Sequence, residues 1–500
     1  MGHPLLPVLD AFAGLRVLVV GEAMLDAYVS GHSERLCREA PVPVVEVTAR
    51  HDVPGGGANT AVNAVALGAR VRYLSVTGAD EPGRRLARAL ADLGVAADGL
   101  VRDPARRTLV KERVTVGGQI LLRLDTGTTG DLAPDTEARL CACLRDAWSD
   151  VDAVIVSDYG YGVLTSRIIA ELAALQQKTP RILVADGRDL RRLAAIRPTA
   201  VKPNYTEAAR LLGLAPLHGE ARVDQIAARE SAFLAITGAR IAAVTLDSAG
   251  ALVFEAGQPP YRTYARPSSD ANATGAGDTF VSALALALAA GAATPAGADL
   301  ASAAAALVVA RHGTTPCTAA ELRLHLAAQD KLLAACELAP LADDLRRAGK
   351  RLVFTNGCFD ILHRGHITYL SRAKALGDVL IVGLNDDASV RRLKGPTRPV
   401  HRAADRAQVL AALSCVDHIV EFSDDTPARL IELARPDIYV KGGDYTLATL
   451  PEAALVTRLG GEVRLLPYLD DFSTTGILAR IAAAPARLAN PTADEKRHAS

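Results

Sequence analysis

Two histidines three residues apart, His363 and His366, close the stretch Thr355-Asn356-Gly357-Cys358-Phe359-Asp360-Ile361-Leu362-His363-Arg364-Gly365-His366. An apolar run at 351–354 precedes it, and residues 367–374 continue with helical spacing. Both imidazoles are therefore expected where a strand hands over to a helix N-terminus. Backbone amides and the positive end of the helix dipole make that place attractive to phosphate. Imidazoles there can donate hydrogen bonds to a phosphate whose charge grows during transfer. A capped, solvated turn would use the same residues, as would a metal site of Cys358, His363 and His366. Neither accounts for the whole stretch, and a zinc site ordinarily shows a fourth ligand at short spacing.

A second constellation is Asn272-Ala273-Thr274-Gly275-Ala276-Gly277-Asp278-Thr279-Phe280, ahead of an alanine-rich helical pattern. Small residues let the backbone approach an anion, and the helix behind supplies amides. Asp278 then lies beside that cradle, placed to take a proton from a substrate hydroxyl. Gly55-Gly56-Gly57-Ala58-Asn59-Thr60-Ala61-Val62-Asn63 is another glycine-rich loop opening a helix, with two asparagines suited to sugar hydroxyls. Lys202-Pro203-Asn204-Tyr205-Thr206-Glu207 closes a strand and starts a helix, presenting an amide and a carboxylate suited to Mg²⁺ and its waters. The later half adds Lys374 and the basic turn 391–399, which includes Lys394. It also holds Lys441-Gly442-Gly443-Asp444-Tyr445 at a strand end and Phe472-Ser473-Thr474-Thr475 at a helix start. Three hydroxyl residues at a helix start can also simply cap it.

Positioning these groups calls for alternating strands and helices. Strands are predicted at 16–21, 71–76, 153–157, 182–185, 200–202 and 242–246, giving a mostly parallel sheet covered on both faces. Residues 42–48 and 108–124 have β-type composition without following helices and predict a small antiparallel flap. A second α/β unit comes next, with strands near 352–354, 379–384, 419–422, 438–441 and 462–466. The division expected is 1–315, a linker at 316–349, 350–485, and a polar, disordered tail at 486–500.

Bulk properties exclude some functions. Five hundred residues exceed one comfortable core. The 56 basic and 56 acidic residues balance, which argues against a broad nucleic-acid or membrane-surface footprint. The seven cysteines are scattered and odd in number, which suits reduced thiols and a cytoplasmic setting. The hydrophobic region 280–310 is broken by Gly291, Pro295 and Gly297, so it reads as two core helices rather than a membrane span.

With those motifs in place, residues 10–315 resemble the ribokinase-like (PfkB) sugar kinases. The resemblance implies a three-layer α/β kinase domain with a small β lid that often forms a dimer contact. It implies Asp278 as catalytic base and Gly275, Ala276 and Gly277 as anion hole. Sugar contacts fall on Asp26, Gly56, Gly57, Asn59 and Asn63, while Asn204, Glu207 and Thr245 serve nucleotide and Mg²⁺, Glu207 being the candidate metal ligand. Tyr161, Asp247, Asn272 and residues 185–188 depart from the common pattern.

Residues 350–482 resemble the cytidylyltransferase-like nucleotidyltransferases through H-x-G-H and the motifs after it. This implies a Rossmann-like domain with His363 and His366 on the α-phosphate of the nucleotide. Phe359, Lys374, Lys394, Gly442, Asp444, Ser473, Thr474 and Thr475 would hold the rest, with Mg²⁺ bridging phosphates.

The two halves in this order are similar to the bifunctional heptose kinase and adenylyltransferase family of ADP-heptose biosynthesis. That likeness implies small-molecule substrates, heptose phosphates and ATP, with ATP used by both halves. It also implies a separate phosphatase acting between the two steps, and a homodimer formed through the lid. The alternatives are another sugar kinase fused to a cytidylyl- or guanylyltransferase, or a nucleotidyltransferase carrying a non-catalytic kinase-like module.

Overall fold

Continuous apolar runs such as Arg-Val-Leu-Val-Val-Gly suit strands buried on both faces, as a parallel sheet requires. In the computed structural model, which describes residues 3–263, 275–309, 311, 314–442, 446 and 449–466, that run is the strand Arg16–Gly21. The chain divides between Arg323 and Leu324 into two compact units.

The first unit is built on a nine-stranded sheet. Its order is Tyr261–Thr263, Ala251–Glu255, Ile241–Thr245, Ala200–Val201, Ile182–Gly187, Ala153–Asp158, Arg16–Gly21, Arg70–Gly78 and Leu100–Asp103. The strands from Ile241–Thr245 onward pair in parallel, whereas the other two join antiparallel. Carboxyl ends of parallel strands gather at one edge, which is where ligands bind in open α/β sheets. The hydrophobic region at 280–310 forms two helices, Ala276–Ala289 and Thr294–Val309, and no helix among the described residues is long and apolar enough to cross a membrane.

The flap is a separate four-stranded sheet, ordered Pro43–Gly56, Ala23–Leu36, Leu109–Val116 and Gln119–Thr126. It is mixed rather than wholly antiparallel, because Ala23–Leu36 runs parallel to Leu109–Val116. The long strand Ala23–Leu36 was missed in the sequence because its character changes midway. Its first residues are buried and its last are exposed, so no single periodicity runs through it.

The second unit carries six parallel strands ordered Leu332–Leu333, His418–Phe422, Val379–Asn385, Leu352–Gly357, Ile438–Gly442 and Glu462–Leu466. Residues 316–349, expected as a linker, contain the boundary between the units and carry regular elements. Leu332–Leu333 pairs with His418–Phe422, and helix Ala335–Arg347 buries Leu338 and Ala342 against Leu352 and Phe354. The polarity that suggested a linker is the solvated face of that helix. The tail expected at 486–500 lies outside the described residues.

Candidate functional site

Gly275 has φ +87°, a conformation that favours glycine, and it starts helix Ala276–Ala289. Three residues on, Asp278 is buried with its carboxylate fully engaged. Asn59 Nδ2 donates to Oδ2 at 2.6 Å, while Tyr159 Oη at 2.9 Å and Thr60 Oγ1 at 3.2 Å donate to Oδ1. Burial pushes the Asp278 carboxyl up, and the hydrogen bonds from Asn59 and Tyr159 together with Lys202 pull against it. The result is an oriented carboxylate that can accept one more proton.

Two cavities meet at Asp278. One, of about 200 Å³, is lined by Asp26, Gly55, Gly56, Asn59 and Arg113. The other, about 400 Å³, is lined by Asp186, Arg188, Lys202, Asn204, Glu207 and Gly277. Lys111, Tyr159, Gly275 and Asp278 border both. The smaller offers polar groups and a tight glycine wall; Gly56, at φ +62°, could not carry a Cβ without meeting Met24 Cε at 2.5 Å. The larger offers phosphate-binding chemistry. A Cβ on Gly277 would lie 3.2 Å from Lys202 Nζ, so the glycine keeps that ammonium open to the cradle.

Other expected residues sit elsewhere. Gly57 and Asn63 line neither cavity. Asn63 is buried behind Asn59, donating to Asn59 O and accepting from Thr279 Oγ1 at 2.7 Å, so it orients Asn59 rather than facing a sugar. The Gly57 amide is bound to Glu22 O. Ala276 borders neither cavity, and Thr245 backs the Asn204 turn by donating its backbone N–H to Pro203 O. Asn204 and Glu207 reciprocally cap helix Tyr205–Leu212, which takes one oxygen of each and leaves Glu207 on the cavity wall. Asp186 stands 3.0 Å from Lys202, its pKa pushed by burial to about 6 against the pull of that ammonium. Four carboxylates, Asp158, Asp186, Glu207 and Asp278, thus share one cavity with Lys202. No cluster of three or more metal-ligating side chains exists among the described residues. This donor set fits a Mg²⁺ ion held by one or two carboxylates, waters and substrate phosphates.

The sequence reading passed over Glu22, Lys111, Arg113, Tyr159 and Asp186. Glu22 is wholly buried and accepts from the Tyr159 and Tyr161 amides at 2.7 and 3.1 Å, fixing the loop that delivers Tyr159 to Asp278. Burial, with Asp158 nearby, moves its pKa to about 7. Arg113 pairs with Asp26 at 2.7 Å. Asn272 lies outside the described residues.

In the second unit, the carboxyl end of Leu352–Gly357 leads into helix Arg364–Lys374, with His363 as its N-cap residue. The His363 and His366 rings stack at 3.9 Å between centroids, and Phe359 meets His366 edge-on at 5.4 Å. Burial, then His363, lowers the His366 pKa to about 4, and burial lowers that of His363. Both rings are therefore neutral near pH 7 and act as hydrogen-bonding groups. Phe359 holds φ +45° to reach this position.

Neighbouring strand ends supply the charge. Lys441 donates to Asn356 Oδ1 at 2.9 Å, across the point where the strand order reverses. Lys394, Arg406 and Lys441 all bear electrostatically on the Cys358 thiol, which burial raises. Gly442 ends the strand beside Lys441. Asp360 is a residue sequence reasoning missed. It is buried, ion-paired to Arg398, and accepts from the Val400 and His401 amides at 2.7 and 3.1 Å, so it ties down the basic turn. Arg406, also missed and wholly buried, spans Cys358 O at 2.5 Å, Asp387 Oδ1 at 2.8 Å and His401 O at 3.0 Å. An arginine inside an apolar helical pattern was the available signal.

Lys374 is a correction. It ends the helix that His363 begins, about 12 Å along the axis from His366 at 1.5 Å per residue. Its ammonium pairs with Asp417 at 2.6 Å and also donates to Asp378 O, at the amino ends of the strands. It stands at the opposite sheet edge from the histidines and cannot share a phosphate with them. Asp444, Ser473, Thr474 and Thr475 lie outside the described residues.

A buried carboxylate at a glycine cradle in one unit, and paired histidines at a strand–helix junction in the other, define a carbohydrate kinase joined to a nucleotidyltransferase. Residues 15–321 match the pfkB family carbohydrate kinases and residues 354–480 match the cytidylyltransferase-like family. The chain belongs to the family of the bifunctional protein HldE. It is 40% identical over 482 residues to that protein of Geobacter sulfurreducens, covering 95% of this chain and 97% of the relative. To that of Caulobacter vibrioides it is 41% identical over 481 residues, covering 94% and 98%. The first unit also shares its fold with phosphofructokinase-2 of Escherichia coli, at TM-score 0.51 and 21% identity over 63% of this chain and 98% of that one.

Proposed function

We infer that the chain carries out two steps of ADP-heptose biosynthesis. At Asp278 the C1 hydroxyl of D-glycero-D-manno-heptose 7-phosphate is phosphorylated by ATP. At His363 and His366 heptose 1-phosphate receives an adenylyl group from a second ATP, releasing pyrophosphate. The observation that carries the kinase reading is Asp278 at the meeting of the two cavities, one suited to a sugar and one to phosphates.

In the first step Asp278 takes the C1 hydroxyl proton, and the freed oxygen forms a bond to the γ-phosphorus. The bond from that phosphorus to the β-phosphate oxygen breaks, and ADP leaves with the electron pair. Gly275 and Gly277 keep the cradle open for the phosphoryl group, with Lys202 beside it. Glu207 and Asp186, on the wall of the larger cavity, would hold a Mg²⁺ brought with the nucleotide, which would supply charge neutralisation to the phosphates. Asn59, Tyr159 and Thr60 hold the carboxylate in register with the hydroxyl.

In the second step an oxygen of the sugar phosphate attacks the α-phosphorus and pyrophosphate departs. Little proton chemistry is needed, which suits two neutral imidazoles as donors to the developing charge. Lys394 and Lys441, whose charges bear on Cys358 of the same stretch, would hold the remaining phosphates.

The first product carries phosphate at C1 and C7, whereas the second step uses the 1-phosphate. A separate phosphatase therefore acts in between. The lid exposes Val47, Ile120, Leu122 and Leu124, an apolar face that a second copy of the chain would cover as a homodimer. The test is incubation of the purified protein with heptose 7-phosphate, ATP and Mg²⁺, with and without a phosphatase, read by mass spectrometry. The bisphosphate is expected without the phosphatase and ADP-heptose with it. Product with CTP but not ATP would overturn the adenylyl assignment.

A further inference from the structure

Lys111 is the only ammonium among the described residues that borders both cavities at Asp278. It stands on lid strand Leu109–Val116, where its cross-strand partners are Asp26 on one side and Asp125 on the other. Either acid could have neutralised it. Both are instead engaged by guanidinium groups, Asp26 by Arg113 at 2.7 Å and Asp125 by Arg123 at 2.6 Å. Lys111 itself makes no ion pair among the described residues. Its ammonium lies 5.6 Å from the ring centroids of both Tyr159 and Tyr161. Those two aromatic faces hold the cation without neutralising it, and Glu22 fixes the loop that carries them. Tyr159 in turn reaches Asp278, so the ammonium and the carboxylate are tied to one side chain.

An unneutralised cation kept at the crossing point of a sugar cavity and a phosphate cavity is suited to the group that crosses. We propose that Lys111 is a catalytic residue of the kinase step, contacting the γ-phosphoryl group as it passes from ATP to the C1 oxygen. This rests on the kinase reading of Asp278 given above. The hydroxyl proton goes to Asp278, the new oxygen–phosphorus bond forms, and ADP carries away the electron pair. The ammonium stabilises charge on the transferring oxygens, and because it rides on the lid, chemistry depends on the lid being seated. Arg113 cannot take this part, being committed to Asp26.

The test uses the full-length protein with Lys111→Met and Lys111→Arg, assayed for both activities. Loss of one preorganised donor costs about 10²–10³ in turnover. Lys111→Met is expected to lose that much kcat in heptose 7-phosphate phosphorylation, with KM for the sugar changed less than threefold. Lys111→Arg should recover part of the loss. Adenylyl transfer to supplied heptose 1-phosphate, which reports that the protein is intact, should be unchanged. If Lys111→Met raises KM for the sugar with kcat preserved, the lysine anchors the bound sugar phosphate and the proposal is overturned. Unaltered kinetics overturn it as well. Wild-type protein that does not phosphorylate the heptose sinks the kinase reading and this proposal together. An active wild type with an unaffected variant sinks only the proposal.

Discussion

Replacing Asp278 by asparagine removes the base while keeping its shape, and the surrounding hydrogen bonds can adjust to the amide. The amide oxygen can accept from Asn59 Nδ2 as Oδ2 does at 2.6 Å. The amide nitrogen then faces the hydroxyls of Tyr159 and Thr60, which can turn to accept. Each hydroxyl gives up a carboxylate acceptor and receives an N–H instead, while the buried carboxylate that burial disfavours is gone. The variant is therefore expected to melt at the wild-type temperature or above it. Proton abstraction by a positioned base is worth about 10²–10⁴ in rate, or ~3–5 kcal/mol of barrier. ATP-dependent heptose phosphorylation should fall by that factor, while adenylyl transfer from the same preparation stays at the wild-type rate. Calorimetry and a coupled ADP assay read the two halves of this expectation. Kinase activity within tenfold of wild type would remove Asp278 from the reaction, and loss of both activities in a folded variant would refute independent sites.

Three further outcomes can be checked. His366 has a pKa near 4 folded against 6.5 unfolded, so below pH 6.5 the unfolded chain binds a proton that the folded site refuses. Its contribution is intact above pH 6.5 and is lost as pH falls toward 4, by about 2 kcal/mol after allowing for the ring's partial exposure. His366→Gln should flatten the fall in melting temperature between pH 7 and 5, and an equal slope would contradict the burial argument. Asp360→Asn weakens the buried pair with Arg398 and frees the basic turn. It is expected to cost about 3 kcal/mol of stability and at least tenfold in adenylyl transfer, with kinase activity untouched. Lys374→Met should leave adenylyl transfer within threefold and change stability by less than about 1 kcal/mol, since the Lys374–Asp417 pair is part-exposed. A large loss of transfer would return Lys374 to the phosphate site.

The pieces of both sites that the sequence disclosed are contiguous. Gly275–Asp278 and His363–His366 each combine a turn, a helix start and the reacting side chain within a few residues, so local spacing is enough to place them. The strand ends that hold them were readable for the same reason, as apolar runs bounded by turns. Asn63 and Lys374 show where that reasoning stops. Helical periodicity gave each a plausible reach, yet Asn63 faces Asn59 and Thr279, and Lys374 is carried to the far end of its helix.

The amino-acid sequence by itself thus determined the two kinds of chemistry and the order of the halves along the chain. Tertiary structure decided which side chains serve that chemistry. Asp278 meets Asn59 and Tyr159 across 219 and 119 residues of chain, and Lys202 meets Asp186 across the sheet edge. A parallel sheet gathers the carboxyl ends of distant strands at one edge, so Glu22, Tyr159, Asp186 and Lys202 come together there. Lys111 arrives on a lid strand whose parallel pairing with Ala23–Leu36 no local pattern announced. The register of that sheet sets its cation between two acids already engaged by Arg113 and Arg123, with no ion pair of its own among the described residues.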